Sequence, residues 1–194
     1  MSAVFRPGTT TVNEDKAVLL IGKCIDGDRA AQRKMYELLG PRYFPVCIRY
    51  VGDRVVAEDI LQEGFVALFA KLGSYSGSGS FDGWARRIFI NASLMYLRKN
   101  DVLKMSDDIS LARGLKVNEE SAVDRMSYSE IMTAVMAMPP GFRTVFNLYV
   151  MEGFSHKEIA EMLGITESTS RTQLSRGRIW LQNRINEMTG RTGR

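Results

Sequence analysis

The side chains best suited to chemistry lie near the C-terminus, where Arg171, Thr172, Ser175, Arg176 and Arg178 follow one another in a predicted helix. Guanidinium groups donate hydrogen bonds to guanine edges and to phosphates, and hydroxyl groups can serve either. At helical spacing these side chains can project away from the buried side. The pattern therefore predicts a nucleic-acid-binding surface. The alternative is a solvated basic face on an ordinary helical hairpin.

The residues just before this surface predict two helices joined by a turn. Ser155 with Glu158 three residues later is a capping box, which fixes the start of the first helix. Gly164 suits the end of that helix because glycine adopts the left-handed conformation. Thr166 can cap the second helix, and Leu174 marks its buried side. This layout is a helix-turn-helix, whose second helix enters the major groove of DNA.

The charge of the chain is concentrated at the same end. The 194 residues carry a net charge of +4. Residues 165–194 hold six arginines against Glu167 and Glu187, which accounts for the whole excess. A basic patch beside a helix-turn-helix favours a phosphate partner. A helix end and tail kept basic only for solubility is the alternative.

A second cluster is acidic and lies on one face of a predicted helix. Glu58, Asp59, Gln62 and Glu63 recur at helical spacing. Like charges so placed oppose the helix by about 0.2–0.5 kcal/mol per pair, so such a face often meets a basic partner. An ordinary solvated face is one alternative. A metal site is another, but the spacing matches no loop-type ligand set, and no metal is predicted.

A third cluster combines aromatic and polar side chains beside the glycine- and serine-rich loop 74–80. Tyr75, Trp84, Arg87 and Asn91 suit single-stranded nucleic acid, in which bases stack on rings for about 1–3 kcal/mol each. Alternatively, the tryptophan and its apolar neighbours belong only to the core. Spacing does not decide between a nucleic-acid site and a core role. These neighbours are Phe81, Ile88 and Leu94.

The elements that position these clusters are all predicted to be helical, with no strand pattern. Apolar residues recur at helical spacing in 17–100 and 127–188, whereas 101–126 is acidic and aperiodic. The fold predicted is all-α, with two small helical domains joined by a flexible linker and the helix-turn-helix in the second. A flexible arm at 1–16 and a tail at 189–194 complete the chain. The helices expected are 18–24, 31–51 with a break near Pro41, 55–72, 81–99 and one beginning at Pro139-Pro140.

The remaining composition points to a location inside the cell. Cys24 and Cys47 lie in apolar helical surroundings without CxxC spacing, which favours reduced thiols. His156 is the only histidine, so zinc is not expected. No apolar run approaches the roughly 18 residues that span a bilayer, and the N-terminus lacks the apolar core of a signal peptide.

Together the three clusters resemble the extracytoplasmic-function sigma factors, the small two-domain initiation subunits of bacterial RNA polymerase. The strings at 57–65, 81–88 and 155–178 carry the resemblance, which extends from about residue 18 to 186. It implies a cytoplasmic subunit that is not an enzyme and needs no cofactor. Such a subunit binds core polymerase, recognises the −35 and −10 promoter elements and promotes DNA melting.

The resemblance also implies partners and residue roles. The partners are the β′ clamp helices and β flap of core polymerase, promoter DNA and an anti-sigma factor, with no membrane insertion. The residues implied to dock on the clamp helices are Asp59, Gln62, Glu63 and Phe65. Those implied to open the −10 element and capture a flipped base are Tyr75, Trp84, Arg87 and Asn91. Those implied to read the −35 element are Ser168, Arg171, Thr172, Ser175, Arg176 and Arg178.

Two positions depart from the family pattern. Tyr75 stands where phenylalanine is frequent, and it keeps the stacking face. Ser170 stands in the recognition helix where many members have an apolar residue. The linker fits the expected span, since 26 extended residues reach at most about 85–90 Å. Promoter elements two helical turns apart are separated by about 70 Å.

Two other functions remain open from the sequence. A self-sufficient DNA-binding regulator would use the helix-turn-helix without polymerase and would give the acidic helix no role. A nucleic-acid enzyme would use Glu58, Asp59 and Glu63 as metal ligands and would lose activity on chelation.

Overall fold

The computed structural model describes residues 11–100 and 126–190, and each regular element in those ranges is a helix. The chain divides into two compact units between Leu97 and Arg98. The all-α, two-domain prediction is therefore confirmed. The arm at 1–10, the linker at 101–125 and the end of the tail lie outside the described residues. Within the described ranges, no helix is long and apolar enough to cross a membrane.

Among residues 11–100, five helices and a short 3-10 turn build the N-terminal unit. The helix predicted over 81–99 is confirmed in its bounds. The arm prediction is corrected, because residues 11–16 belong to a helix. The elements are α1 (Thr11–Val18), α2 (Ile21–Ile25), α3 (Arg29–Val51), α4 (Arg54–Lys71), the turn Leu72–Ser74 and α5 (Phe81–Lys99).

Helix α3 runs without interruption through Pro41 and Pro45, so the break predicted near Pro41 is wrong. A proline inside a helix removes a hydrogen bond and crowds the preceding turn, which costs about 3 kcal/mol. The apolar side chains on either side of Pro41 are nevertheless fully buried, including Leu39, Tyr43 and Val46. Burial of that continuous face outweighs the local loss.

An aromatic cluster joins α3, α4 and α5. The Phe89 ring stacks on Tyr43 with the ring centroids 4.3 Å apart, and it meets Phe65 edge-on at 5.1 Å. Gly64 makes this approach possible, since a Cβ added there would lie 2.4 Å from Cδ1 of Phe89. The three helices are therefore held close together directly behind the acidic face of α4.

The Gly64→Ala substitution is expected to lower the free energy of unfolding by about 1–3 kcal/mol, because overpacking would force the Phe89 ring out of place. Urea denaturation followed by circular dichroism measures this. Gly22→Ala is the control, because nothing lies within 4 Å of a Cβ added at Gly22. Equal stability of the two variants would show that α4 and α5 shift apart without cost.

The described part of the C-terminal unit contains four α-helices and confirms each predicted cap. Ser155 and Glu158 form the capping box, Gly164 is left-handed with φ 69°, and the Thr166 hydroxyl accepts from the backbone N–H of Thr169. Pro140 occupies the first turn of its helix, as predicted. The elements are α6 (Tyr128–Met136), α7 (Pro140–Phe146), a π-helical turn (Asn147–Met151), α8 (His156–Leu163) and α9 (Glu167–Met188).

Candidate nucleic-acid and protein interfaces

Helix α9 presents a polar face outward while its opposite face packs on the unit. Ser170 and Leu174 are buried, at 0% and 4% exposure. Five of the six predicted −35 residues are exposed, and Arg176 is half-buried. The exposed five are Ser168, Arg171, Thr172, Ser175 and Arg178. The fold therefore brings hydrogen-bond donors of the predicted types together on one helix face.

Two of these arginines already have partners within the unit. Arg171 forms an exposed ion pair with Glu167 one turn earlier, with 2.9 Å between Nη2 and Oε2. The Arg178 guanidinium lies over the ring of Tyr149, 5.9 Å from its centroid. Both contacts restrain the arginine side chains, and the ion pair competes with any anionic ligand of Arg171.

A partly buried polar contact links α8 to α9, and the sequence pattern alone does not indicate it. The Ser170 hydroxyl and His156 Nδ1 share a hydrogen bond of 2.9 Å. The imidazole stacks on the Tyr149 ring, with centroids 4.5 Å apart. Burial lowers the pKa of His156, and the positive charges of Arg171 and Arg178 lower it further against the opposing effect of Glu167. The net effect favours the neutral form of the imidazole.

The predicted acidic face on α4 is exposed. Asp59, Gln62 and Glu63 are open to solvent, as is Glu58. The Glu58 carboxylate binds Arg54 one turn earlier at 3.0 Å. Among the described residues, no three His, Cys, Asp or Glu side chains are grouped so that they could hold a metal ion. The acidic face is therefore solvent-exposed, and its role as a docking surface stays a prediction.

Apolar residues complete this face, and one predicted member is absent from it. Val55 and Val66 are 68% and 71% exposed, and helical spacing places them on the same side as Asp59 and Gln62. Phe65 is only 3% exposed, because it packs in the aromatic cluster. Its assignment to the docking surface is corrected: Phe65 supports α4 from inside. The helical spacing of Val55 and Val66 with the acidic residues is visible in the sequence, but the exposure of the two valines is not.

The third cluster is an aromatic site at the start of α5. The Trp84 ring lies 5.3 Å from that of Tyr75, and both are partly exposed. Phe81 lies beneath them at 1% exposure, 5.6 Å from Trp84. Arg87 and Asn91 are exposed and follow Trp84 by one and two turns along α5. Phe81, Ile88 and Leu94 are buried, as the core alternative expects, whereas Trp84 is partly exposed.

A partly buried network fixes the start of α5 against α3. The Tyr43 hydroxyl donates a hydrogen bond of 2.9 Å to Oδ1 of Asp82, which also pairs with Arg42. Burial raises the pKa of Tyr43 well above its usual value, and the Asp82 charge raises it further, so the phenol remains a donor. Because Asp82 is two residues before Trp84, the network holds the aromatic site in place. Sequence reasoning missed it, since its members are about 40 residues apart.

Two family models match the chain. The model described as Sigma-70 region 2 matches residues 35–102, and the model described as Sigma-70, region 4 matches residues 128–181. The first range contains the acidic face and the aromatic site, and the second contains the polar face of α9. The three surfaces therefore lie inside the matched ranges.

Curated proteins show the same likeness. The ECF RNA polymerase sigma factor SigE of Mycolicibacterium smegmatis is 30% identical over 173 residues, which cover 86% of this chain and 67% of that protein. The ECF RNA polymerase sigma factor SigW of Bacillus subtilis is 27% identical over 173 residues, which cover 84% of this chain and 92% of that protein. A solved structure contains the sigma factor RpoE in complex with the anti-sigma factor NepR from Bartonella quintana. Its TM-score is 0.48 at 20% identity, and the match covers 83% of this chain and 98% of that chain.

Proposed function

The chain belongs to the extracytoplasmic-function sigma factors of bacterial RNA polymerase, and from that membership we propose how its two units act at a promoter. As a promoter-recognising sigma factor it binds core polymerase and promoter DNA. In our proposal the C-terminal unit reads duplex DNA at the −35 element through the outer face of α9. The N-terminal unit opens the −10 element and holds the melted strand at its aromatic site.

The observation that carries this division is the different chemistry of the two nucleic-acid surfaces. The face of α9 offers arginines and hydroxyls, with no aromatic ring among its six predicted residues, which suits base edges and phosphates of a duplex. The site on α5 offers the partly exposed rings of Tyr75 and Trp84 beside Arg87, which suits unstacked bases. One surface fits closed DNA and the other fits opened DNA.

Further parts of the proposal concern the partners and the compartment. The acidic and apolar face of α4 docks on the β′ clamp helices, and the β flap contacts the C-terminal unit. The polymerase performs all chemistry, so this chain is not an enzyme, and it works in the bacterial cytoplasm. An anti-sigma factor is a further partner, in keeping with the NepR complex of the Bartonella protein.

Run-off transcription tests the proposal. Genomic fragments from the organism that encodes this chain are transcribed by purified core polymerase, once with the chain and once without it. Transcripts that begin at discrete sites only when the chain is present support the initiation role and reveal the promoter sequence. Failure to bind core polymerase would contradict the proposal and favour the independent regulator.

Charge reversal tests the docking face. Asp59→Lys with Glu63→Lys is expected to weaken binding to core polymerase about tenfold or more, because like charges then face the partner. Fluorescence anisotropy of the labelled chain with core polymerase measures the Kd. Glu37→Lys is the control, since Glu37 is an exposed acid on α3 outside this face. A similar loss in both variants would indicate an effect of net charge alone.

Neutralising Glu167 is expected to strengthen −35 recognition. Glu167→Gln releases Arg171 from its ion pair. An exposed pair of this kind changes an equilibrium constant by a factor of about two to five. Holoenzyme affinity for a promoter with an intact −35 element should therefore rise by that factor. Glu187→Gln, which disrupts the pair with Arg184 beyond the predicted −35 residues, should leave it unchanged. A weaker complex would show that Glu167 helps to place Arg171.

A further inference from the structure

We propose that the hydrogen bond between Ser170 and His156 positions α9 and thereby sets the −35 sequence preference of this protein. Ser170 and His156 are positioning residues: they do not contact DNA themselves but set the placement of the α9 side chains that do. The inference rests on the proposed function, because it needs α9 to read the −35 element. It gives Ser170, which departs from the family pattern, a specific role.

The Ser170 side chain cannot read DNA itself, because it is 0% exposed. A buried hydroxyl without a partner is costly, and His156 Nδ1 lies 2.9 Å from this one. A hydrogen bond requires a narrow range of distance and direction, whereas an apolar contact allows the surfaces to slide. The bond therefore restrains the rotation of α9 against α8 more tightly than an apolar residue would.

The imidazole is itself held in place, so the restraint does not end at His156. Its ring stacks on Tyr149 with an interplanar angle of 21°. The Tyr149 ring in turn lies beneath the Arg178 guanidinium. A chain of contacts therefore runs from Ser170 through His156 and Tyr149 to Arg178, which lies about two turns further along α9. Helix α9 is fixed at two points along its length.

The predicted reading residues are close to both points. Arg171 and Thr172 directly follow Ser170, and successive residues of an α-helix are turned by about 100°. A small rotation of α9 therefore moves both side chains across the groove. Bidentate contacts to base edges need accurate placement, whereas contacts to phosphates tolerate shifts and carry no sequence information. Loss of the bond should reduce sequence discrimination more than total binding.

The experiment uses holoenzyme made from core polymerase and the full chain. Its templates are a promoter identified by run-off transcription, with the −35 region randomised, and the readout is transcript yield for each −35 sequence. Two variants remove the bond from opposite ends: Ser170→Ala, and His156→Phe, which keeps a ring for Tyr149. His156→Asn retains a polar atom near the Nδ1 position. Thr133→Ala removes a hydroxyl that binds only its own helix, and serves as the control.

Ser170→Ala and His156→Phe are each expected to lower the ratio between preferred and median −35 sequences about fivefold, the effect of one lost hydrogen bond. The double variant should be no worse than either single variant, and His156→Asn should recover part of the ratio. Thr133→Ala should match the wild type.

Three results would overturn the inference. The first is an unchanged preference in Ser170→Ala and His156→Phe. The second is a uniform fall in transcription that follows the melting temperature, which would show a purely structural role. The third is additive loss in the double variant, which would show that the two side chains act separately. A wild-type holoenzyme without any −35 preference would instead overturn the proposed function, and the inference with it.

Discussion

Trp84→Ala is expected to lower the equilibrium constant for promoter opening about 5- to 150-fold, because a stacked base is worth about 1–3 kcal/mol. Formation of the closed complex should change by less than about twofold, since at that stage the bases remain inside the duplex. Permanganate reactivity of unpaired thymines measures opening, and filter binding at low temperature measures the closed complex. Trp84 is partly exposed above the buried Phe81, which places its ring where a base can reach it.

The conservative variant separates stacking from packing at this site. Trp84→Phe keeps an aromatic face beside Tyr75 and should retain most of the opening activity. Tyr128→Ala removes an exposed ring from the other unit and should leave opening unchanged. Equal losses in closed and open complexes for Trp84→Ala would show that the ring mainly supports the core.

Arg176→Ala is expected to weaken promoter binding about 5- to 150-fold if the guanidinium makes a bidentate contact with a guanine, which is worth about 1–3 kcal/mol. The loss should be confined to promoters that carry the preferred base at one −35 position. Arg176 is half-buried, so less side-chain entropy is lost on binding than for a fully exposed arginine. Competition binding of holoenzyme to a set of −35 variants measures the effect.

The controls for Arg176 lie on the same helix. Arg176→Lys keeps the charge but not the planar pair of donors, and should also lose discrimination. Arg184→Ala removes a basic side chain that pairs with Glu187, beyond the predicted −35 residues, and should leave discrimination intact. A loss of equal size for every −35 variant would mean that Arg176 contacts phosphate only.

The sequence by itself determined the helix-turn-helix. Its caps were predicted at Ser155, Gly164 and Thr166, and all three are observed. Each cap depends on groups within about four residues of it, so local sequence contains the whole interaction. The same holds for α5, which begins after a glycine- and serine-rich loop and ends before Asn100.

Tertiary structure decided which residues of the predicted sites actually face outward. The pattern of α4 did not show that Phe65 turns inward, because the contact that holds it comes from Phe89 on another helix. Pro41 likewise stays inside α3 because burial across the unit outweighs a local penalty. The exposure of Val55 and Val66 also depends on what packs around α4.

Only the tertiary structure joined His156 to Ser170, and Tyr43 to Asp82. These pairs are 14 and 39 residues apart, across a turn in one unit and between helices in the other. Helical periodicity predicts which side of a helix is buried, but not which polar atom meets which on the neighbouring helix. That choice depends on how the helices cross, which the packing of the whole unit sets. The sequence therefore determined the elements and the chemistry of their faces, and the packing decided how those faces are held in place.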